Sequence, residues 1–351
     1  MAANYLGEGL IWDAHAGFEL RTVKDLQTLP IWKDAGVNFL SVNIGYDVNC
    51  WQNTMKALSL ARDWLDTTDG YRLVGTGYEI DQAIAADQMA VAFDIEGMNA
   101  LDGSLGMVRF YYDLGVRQML FAYNINNLAG GGCHDEDVGL TDFGRAAVAE
   151  MNSVGMLVDC SHCGYRTTME AMDLSSDPVI FSHSNAQALW YHERNILDDQ
   201  AMRCAATDGV VGVNGIGVFV GADDIATSSI ADHIDYYLDL IGAEHVGIGL
   251  DYFHEADDES GFNETVSEND RYWPKSQYPG GSIRCAVPAQ IYQIAEEMLQ
   301  QNHSEPVVRG YLAATSGAWL GRFGSNPIHG SAKYLQSGGR FLGPHTLLLR
   351  S

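Results

Sequence analysis

The amino-acid sequence predicts an α/β fold of the (β/α)8 TIM-barrel type. Eight short runs rich in Val, Ile, Leu and Phe are spread along the chain, and such near-continuous apolar runs are typical of parallel strands buried on both faces. Segments with helical periodicity separate the runs, as the alternation of a β/α barrel requires. Several runs end in a residue that can bind a metal or transfer a proton, and barrel enzymes place their active sites at the carboxyl ends of the strands.

The predicted strands carry the candidate functional groups at or near their ends. These groups are His15, Glu96, Tyr123, His162, His183 and Asp251. In chain order the runs are LIWDAH (10–15), VNFLSVN (37–43), AVAFDIE (90–96), RQMLFAY (117–123), MLVDCSH (156–162), PVIFSH (178–183), VVGVN (210–214) and VGIGLD (246–251).

The clearest helix signal lies in residues 140–155, between two predicted strands. Thr141 is a good N-cap, Ala147 and Met151 are apolar at helical spacing, and Gly155 can end the helix. Similar segments between predicted strands are 51–68, 104–115, 166–175, 197–209 and 230–242, and two closing helices are predicted within 289–302 and 304–323.

The chain of 351 residues is compatible with one barrel that carries insertions. We predict a single domain over residues 1–323. The long polar segment at about 252–285 is predicted to form a lid or wall over the barrel mouth, because long loops in compact domains are usually functional or disordered. Residues 324–351 have weak periodicity and are predicted to form a surface tail.

Charge and composition exclude several classes of partner. With 46 acidic and 20 basic residues, the formal charge is −26, which repels phosphate backbones and anionic lipids. We therefore predict no nucleic-acid partner and no membrane partner. The chain shows no basic segment followed by an apolar stretch at its start and no run of about 18 apolar residues. We predict a soluble, cytoplasmic protein, and a homodimer is one assembly that the sequence allows.

The six cysteines are scattered through a large chain, unlike the dense disulfide framework of a small secreted domain. We predict that they are reduced. Cys160 and Cys163 form a C-x-x-C motif around His162. No second pair accompanies them, so we interpret them as small buried side chains beside a functional histidine instead of a redox or zinc pair.

A metal site is predicted from His15, Glu96, His162 and His183. Imidazole nitrogen and carboxylate oxygen are the ligands that hold zinc in hydrolases. An isolated histidine is more often structural, but a barrel brings successive strand ends into one pocket, which favours a shared site for these four residues. A carboxylate has two oxygens, so Glu96 could bridge two metals.

Several of these motifs resemble the renal (membrane) dipeptidase family, zinc metallopeptidases of the amidohydrolase superfamily. The resemblance extends in order over residues 10–323. It implies a barrel with a binuclear zinc centre bridged by Glu96, with His162 and His183 on the second metal. It also implies that Asp251 handles the proton and that Arg194 binds the substrate carboxylate. The matching motifs are GVRQMLFAYNINN (115–127), GLTDFGRAAVAEMNSVGMLVDCSH (139–162), PVIFSHSNAQAL (178–189), HERNILDD (192–199) and HVGIGLDYF (245–253).

The chain departs from the family pattern at two positions. The family's first strand carries an H-x-D pair, whereas this chain has Gly17 two residues after His15. Glu19 is a candidate substitute, because it lies on the same face if the strand continues. One metal held by His162, His183 and Glu96, with His15 peripheral or only weakly bound to it, is at least as compatible with the sequence, so the number of zinc ions, one or two, stays open.

The second departure is Tyr123, which stands where the family places a histidine that contacts the scissile carbonyl. A tyrosine hydroxyl can still donate a hydrogen bond to a developing oxyanion. We therefore predict catalytic roles for Asp251 and Tyr123, and substrate contacts for Arg194, Tyr123 and Asn127. The glycine-rich loop 130–139 is predicted to line or support the pocket, with Asn127 shaping its floor.

Three functions are compatible with the sequence. The first is a metal-dependent dipeptidase that cleaves short peptides, including those with a D-residue at the C-terminal position. The second is an amidohydrolase acting on another small amide or a lactone, because the loops of a barrel decide its substrate. The third is a binding protein of the same fold that has lost metal. Metal content and turnover of a dipeptide panel distinguish the three.

Overall fold

The computed structural model describes residues 9–18, 20–253 and 262–313. It contains the predicted parallel barrel with helices around it, and all eight predicted apolar runs contribute strands. The strands are β1 (Trp12–Ala16), β2 (Phe39–Tyr46), β3 (Tyr71–Leu73), β4 (Met89–Glu96), β5 (Val116–Leu120), β6 (Leu157–Asp159), β7 (Val179–Ile180), β8 (Val211–Val213) and β9 (Val246–Ile248).

Eight of the strands form a nearly closed ring. Their order is β7-β6-β5-β4-β2-β1-β9-β8, and a parallel bridge between Phe181 and Val211 joins β7 to β8. The predicted (β/α)8 fold is therefore confirmed. Because all ladders of the ring are parallel, the carboxyl ends of its strands meet at one mouth.

The short strand β3 was not predicted. Among the described strands it pairs with the first half of β4 alone, where Tyr71 lies opposite Met89, and it is not part of the ring. Its three residues are only half-buried, so they lack the apolar run that marks the other strands.

The helices lie mostly between consecutive strands of the ring, as predicted. The predicted helix at 140–155 is confirmed: the Thr141 hydroxyl accepts a hydrogen bond from Gly144 N at 3.1 Å, and Gly155 has a φ of 86°. The helices are α1 (Val23–Leu26), α2 (Pro30–Asp34), α3 (Trp51–Thr67), α4 (Gly77–Ala85), α5 (Gly106–Asp113), α6 (Asp142–Val154), α7 (Tyr165–Leu174), α8 (Asp198–Ala205), α9 (Gly217–Val220), α10 (Thr227–Ile241), α11 (Phe262–Glu268), α12 (Gln290–Gln300) and α13 (Glu305–Ala313), with 3₁₀ turns at Met98–Leu101 and Ala243–His245.

The described part of the predicted lid contains α11 and a series of turns. Its side chains Phe262, Trp273, Tyr278 and Ile283 pack in one apolar cluster with residues that follow the barrel strands, among them Tyr123. Residues 254–261 and 314–351 lie outside the described residues. The second of these segments includes the predicted tail 324–351 and the end of the last predicted helix. The domain boundary at 323 stays a prediction.

Two further observations bear on the sequence predictions. All six cysteines are free thiols, and Cys160 and Cys163 are buried. Across the residues that the structure describes, no helix combines the length and the apolar character needed to cross a lipid bilayer.

Candidate metal centre and active site

The four predicted metal ligands meet around one carboxylate oxygen. Glu96 Oε1 lies 3.0 Å from His162 Nε2, 3.3 Å from His183 Nε2 and 3.6 Å from His15 Nε2. Glu96 ends β4 and His15 lies in β1, while His162 and His183 follow β6 and β7. All four side chains are buried. The barrel thus brings together residues that are up to 168 positions apart in the chain.

His183 is oriented by a relay of hydrogen bonds. Ser182 Oγ donates to Asp159 Oδ2 at 2.5 Å, and the same oxygen lies 2.7 Å from His183 Nδ1. Because the hydroxyl proton is directed at the carboxylate, its lone pair accepts the Nδ1 proton of His183. The Nε2 lone pair of His183 is therefore directed toward Glu96.

His162 is oriented in the same manner by an amide. Asn124 Nδ2 donates to Tyr272 O at 2.9 Å, so Asn124 Oδ1 accepts the Nδ1 proton of His162, 2.6 Å away. The ring of Tyr123 stacks on the imidazole at 4.1 Å between centroids. His162 has a φ of 64°, a conformation that a residue with a side chain keeps only where its surroundings impose it.

The Nε2 atoms of the two histidines then face each other, and neither carries a proton because each ring has its proton on Nδ1. Their Nε2 atoms lie 2.9 Å apart, and burial lowers the pKa of both imidazoles well below the ordinary value. Two lone pairs at this distance repel unless a cation lies against them. This geometry fits a divalent metal ion.

Unpartnered polar atoms at the same place support a cation site. In the described part of the chain, Nε2 of His15 and Oε1 of Glu96 are buried without a hydrogen-bond partner, although buried polar atoms are normally paired. Ligand atoms of His15, Glu96 and His183 lie within 4.8 Å of one another. Imidazole and carboxylate form a donor set suited to zinc and related ions.

The electrostatics of the site are dominated by burial. Burial raises the pKa of Glu96 to about 8, against the opposing effect of His15, and it also raises the pKa of Asp251. For His15, burial lowers the pKa, but the nearby carboxylates of Asp94 and Glu96 outweigh it and raise the pKa well above the ordinary value. Carboxylates are thus crowded together where burial disfavours their ionised form, and a bound cation would stabilise that form.

Asp251 lies beside the proposed ligands. Its Oδ1 is 3.5 Å from His15 Nε2, and its Oδ2 accepts a hydrogen bond from Asn214 Nδ2 at 3.0 Å. The residue has a φ of 56°, so its backbone, like that of His162, is held in the left-handed region. One carboxylate oxygen is thus fixed by Asn214 and the other faces the ligand cluster.

The pocket above the ligand cluster has an aromatic wall. Glu96, His162, Tyr123 and Asp251 line its floor and sides. Burial raises the pKa of Tyr123 well above the ordinary value, so its hydroxyl keeps its proton and can donate. The apolar lining residues are Phe18, Tyr46, Ile216, Phe219, Phe253, Phe262, Trp273, Tyr278 and Ile283.

Arg194 is buried close to the histidines, in a cavity next to this pocket. Its Nη2 donates to His183 O at 3.0 Å, and its guanidinium lies 5.1 Å from the ring of Phe219. Its Nε has no partner in the part of the chain that the structure describes. The guanidinium therefore keeps a free donor near the site.

Asn127 is not among the residues that line this pocket. Its amide nitrogen donates to Asp47 Oδ2 and to Phe121 O, both at 2.7 Å, and its amide oxygen accepts from two backbone N–H groups, those of Ala129 and Gly130. Because its amide is already bonded to Asp47 and to backbone groups, Asn127 does not support the predicted substrate contact. It instead positions Asp47, which also accepts from Tyr123 N.

The glycine-rich loop 130–139 packs against the lid. His134 Nδ1 lies 2.7 Å from Glu193 Oε2, and its Nε2 lies 3.0 Å from the hydroxyl of Tyr278. At Gly132, a Cβ would lie 2.2 Å from the backbone of Asn124, so only glycine fits there. The loop therefore connects the turn that orients His162 to the segment covering the pocket.

Sequence reasoning missed the polar residues around the ligands and Asp251, namely Asn124, Ser182, Asp159, Asn214 and Asp94. Asp94 had a detectable signal, because it lies two residues before Glu96 and therefore on the same face of the strand. The others carry no comparable pattern. Glu19, the candidate substitute for the missing aspartate, lies outside the described residues.

Solved structures share this fold. A Pseudomonas aeruginosa amidohydrolase has 23% sequence identity and a TM-score of 0.80, covering 92% of this chain and 99% of the other. A Rhodobacter sphaeroides metallopeptidase, solved with a phosphinate mimic of the dipeptide L-Ala-D-Ala, has 21% identity and a TM-score of 0.73, covering 90% of this chain and 99% of the other. These similarities show the barrel.

Sequence comparisons identify the family. An uncharacterised dipeptidase from Schizosaccharomyces pombe is 38% identical over 217 residues, covering 55% of this chain and 51% of the relative; the match thus spans about half of that protein. The family model of the membrane dipeptidases, Peptidase family M19, matches residues 24–268. This match confirms the resemblance noted in the sequence, and the chain belongs to the membrane dipeptidase family.

Proposed function

We propose that this chain is a zinc-dependent dipeptidase that hydrolyses the amide bond of short peptides. The observation that carries the proposal is the convergence of three imidazole Nε2 atoms on Glu96 Oε1, within 3.0–3.6 Å. Family membership supports the same activity. Cytoplasmic location and a homodimer stay predictions from the sequence.

His15, Glu96, His162 and His183 are the residues that would hold the metal. A bound zinc ion supplies Lewis acidity and lowers the pKa of water at the site. The orientation of His162 and His183 by their Nδ1 partners leaves both Nε2 lone pairs available for such an ion.

Asp251 is the proposed general base and acid. It accepts a proton from the attacking water as the water oxygen bonds to the peptide carbonyl carbon, and it delivers that proton to the amine nitrogen as the C–N bond breaks. Asn214 holds one carboxylate oxygen in place. The other oxygen faces the centre, where the water has to lie.

Tyr123 and Arg194 are proposed to bind the substrate. The Tyr123 hydroxyl donates to the oxygen that becomes negative in the transition state. Arg194, buried and with a free Nε donor among the described residues, binds the free C-terminal carboxylate, which restricts the enzyme to short substrates. The aromatic wall favours a bulky apolar substrate side chain, because apolar burial stabilises the complex.

The proposal is tested by metal analysis together with a dipeptide panel. The panel includes dipeptides with a D-residue at the C-terminal position, because the Rhodobacter relative was solved with such a mimic. We expect bound zinc and turnover that a chelator removes and zinc restores. Zinc with turnover of other amides or lactones alone would contradict the dipeptidase assignment, and a protein with neither zinc nor turnover would favour the binding-protein alternative.

The variant His183→Ala shows whether the histidine cluster is the metal site. We expect loss of bound metal together with activity. His245→Ala is the matched control and should keep its metal, because His245 directly precedes β9 and contacts Gly209 O, at the end of the barrel opposite the ligands. Unchanged metal content in His183→Ala would remove His183 from the site.

A further inference from the structure

The carboxylate of Asp94 is directed at the first proposed metal ligand. Asp94 lies in β4 two residues before Glu96, so both side chains point to the same face of the strand. Its Oδ1 lies 3.3 Å from His15 Nδ1. Asp94 is 1% exposed, and in the described part of the chain its Oδ2 has no hydrogen-bond partner. A buried carboxylate of this kind requires a positively charged or proton-donating neighbour.

His15 is the only neighbour within ion-pair distance that the described residues offer to Asp94. The two ring nitrogens of His15 face different groups: Nδ1 faces Asp94, and Nε2 faces Glu96 at 3.6 Å and Asp251 at 3.5 Å. A carboxylate beside Nδ1 favours the tautomer with the proton on that nitrogen. The Nε2 lone pair is then available on the side of the metal centre.

The other two histidines are held according to the same plan. His162 Nδ1 is paired with Asn124 Oδ1, and His183 Nδ1 is paired with Ser182 Oγ, which in turn contacts Asp159. Each imidazole therefore has a polar group on the ring nitrogen that faces away from Glu96. Asp94 completes this set for His15.

Asn43 joins Asp94 to the bridging carboxylate. Its Nδ2 lies 2.9 Å from Asp94 Oδ1 and 3.2 Å from Glu96 Oε2. This shared donor fixes the two carboxylates relative to each other, since Asn43 lies opposite Asp94 in the ladder of β2 and β4. A change at Asp94 is therefore transmitted to the ligand set through His15 and through Asn43.

An acidic side chain at position 17, after β1, could not take the place of Asp94 beside His15. A Cβ added to Gly17 would lie 2.9 Å from Asp251 Oδ1 and 3.6 Å from Phe253 Cβ. A longer acidic side chain would have to displace Asp251. A carboxylate from the neighbouring part of the barrel reaches His15 without this conflict.

We propose that Asp94 is a positioning residue of the metal centre, which orients His15 and supplies negative charge beside it. This inference rests on the proposed metal centre and not on the nature of the substrate. Asp94 acts through His15, because its closest contact to that ring is with the nitrogen opposite the one that faces Glu96. Two carboxylates of the same strand, Asp94 and Glu96, thus face the two ring nitrogens of His15.

The test measures zinc binding in Asp94→Asn, Asp94→Ala and Asp94→Glu. Mutation of a residue that hydrogen-bonds to a metal-bound histidine typically lowers metal affinity by about 10- to 100-fold. We expect losses of zinc affinity in this range for the Asn and Ala variants. Asp94→Glu should recover part of the affinity. The readout is zinc retained against a competing chelator, with circular dichroism confirming that each variant is folded.

Asp47→Asn is the matched control. Asp47 is also buried at the mouth, and its side chain accepts hydrogen bonds from the N–H groups of Asn99 and Tyr123 and from the Asn127 amide, with no histidine among these donors. Its zinc affinity should equal that of the wild type. Wild-type affinity in folded Asp94→Ala would overturn the proposal. Zinc binding that depends on Asp94 without dipeptide turnover would sustain it while contradicting the dipeptidase function.

Discussion

Gly17 and Asp251 are so close that no side chain fits at position 17 without moving the carboxylate. A Cβ at Gly17 would lie 2.9 Å from Asp251 Oδ1, and the backbone between the two is tied by a hydrogen bond from Asp251 N to His15 O at 3.1 Å. The glycine that replaces an expected first-strand aspartate therefore leaves space for the proposed general base.

This relationship predicts the effect of Gly17→Ala. The added methyl group would lie 2.9 Å from Asp251 Oδ1, so the carboxylate has to shift slightly, and small misplacements of a catalytic group lower the rate, by on the order of 100-fold for about 1 Å. We expect a lower kcat with unchanged zinc content, measured by steady-state kinetics and metal analysis. Gly9→Ala, at a position where an added Cβ would meet no described atom within 4 Å, should behave like the wild type. Normal turnover in Gly17→Ala would show that Asp251 does not need its observed position.

A second prediction concerns Asp251→Asn. The amide keeps the shape of the side chain but cannot accept a proton, so we expect zinc to be retained and kcat to fall by about 100- to 10,000-fold. Single-turnover assays with metal analysis of the same samples provide the measurement. Rates near those of the wild type would place the base elsewhere.

Arg194 is predicted to recognise the free carboxylate of the substrate. In Arg194→Lys we expect a higher KM for free dipeptides, because lysine cannot form the two parallel hydrogen bonds of a guanidinium. Dipeptide amides lack this carboxylate, so their KM should be nearly the same for the wild type and for Arg194→Lys. Equal losses for both substrate types would indicate that Arg194 acts only through its bond to His183 O.

The aromatic wall predicts a preference for apolar side chains. Trp273 lines the pocket and packs against Tyr123 with ring centroids 5.8 Å apart. In Trp273→Ala we expect kcat/KM to fall for dipeptides with Leu or Phe by the equivalent of about 1.5–3 kcal/mol, and to fall less for Gly-Gly. Trp190→Ala, at a 37% exposed tryptophan, is the control. A uniform loss over the panel would contradict a specificity role.

His134 predicts a loss of stability at alkaline pH. Burial lowers its pKa, but Cys133 and Glu193 beside it outweigh this and raise the pKa to about 9, above the ordinary 6.5. A raised pKa means that the ion pair with Glu193 stabilises the fold fully below about pH 6.5 and loses this effect as the pH rises through 9. The shift corresponds to an effect on the order of 3 kcal/mol.

Thermal unfolding between pH 6 and 10 tests this point. The wild-type Tm should fall more steeply with rising pH than that of His134→Gln, which has no proton to lose. Parallel curves for the two proteins would show that His134 is not the titrating group.

Much of the barrel was predictable because strands buried on both faces have to be apolar along their length. The eight runs met this condition, whereas β3 did not, since it is half-buried and has only three residues. The meeting of His15, Glu96, His162 and His183 was predictable for a related reason: parallel strands in a closed ring end at the same mouth.

The groups that orient these ligands were beyond the reach of the sequence. Whether Ser182 lies between Asp159 and His183, or whether Asn124 contacts the ring of His162, depends on strand register and side-chain rotamers. Asn127 is the opposite case: the sequence predicted it in the pocket, but its amide bonds to Asp47 and it does not line the pocket.

The order of apolar runs and the residue types at their ends are local properties of the chain, so the sequence by itself determined the barrel, the family and the proposed ligands. Only the tertiary structure decided that Asp94 faces His15 and that Gly17 leaves its space to Asp251. Those relationships depend on contacts between β1, β4 and the end of β9, and distances of about 3 Å between separate strands are set by packing, which no spacing along the chain encodes.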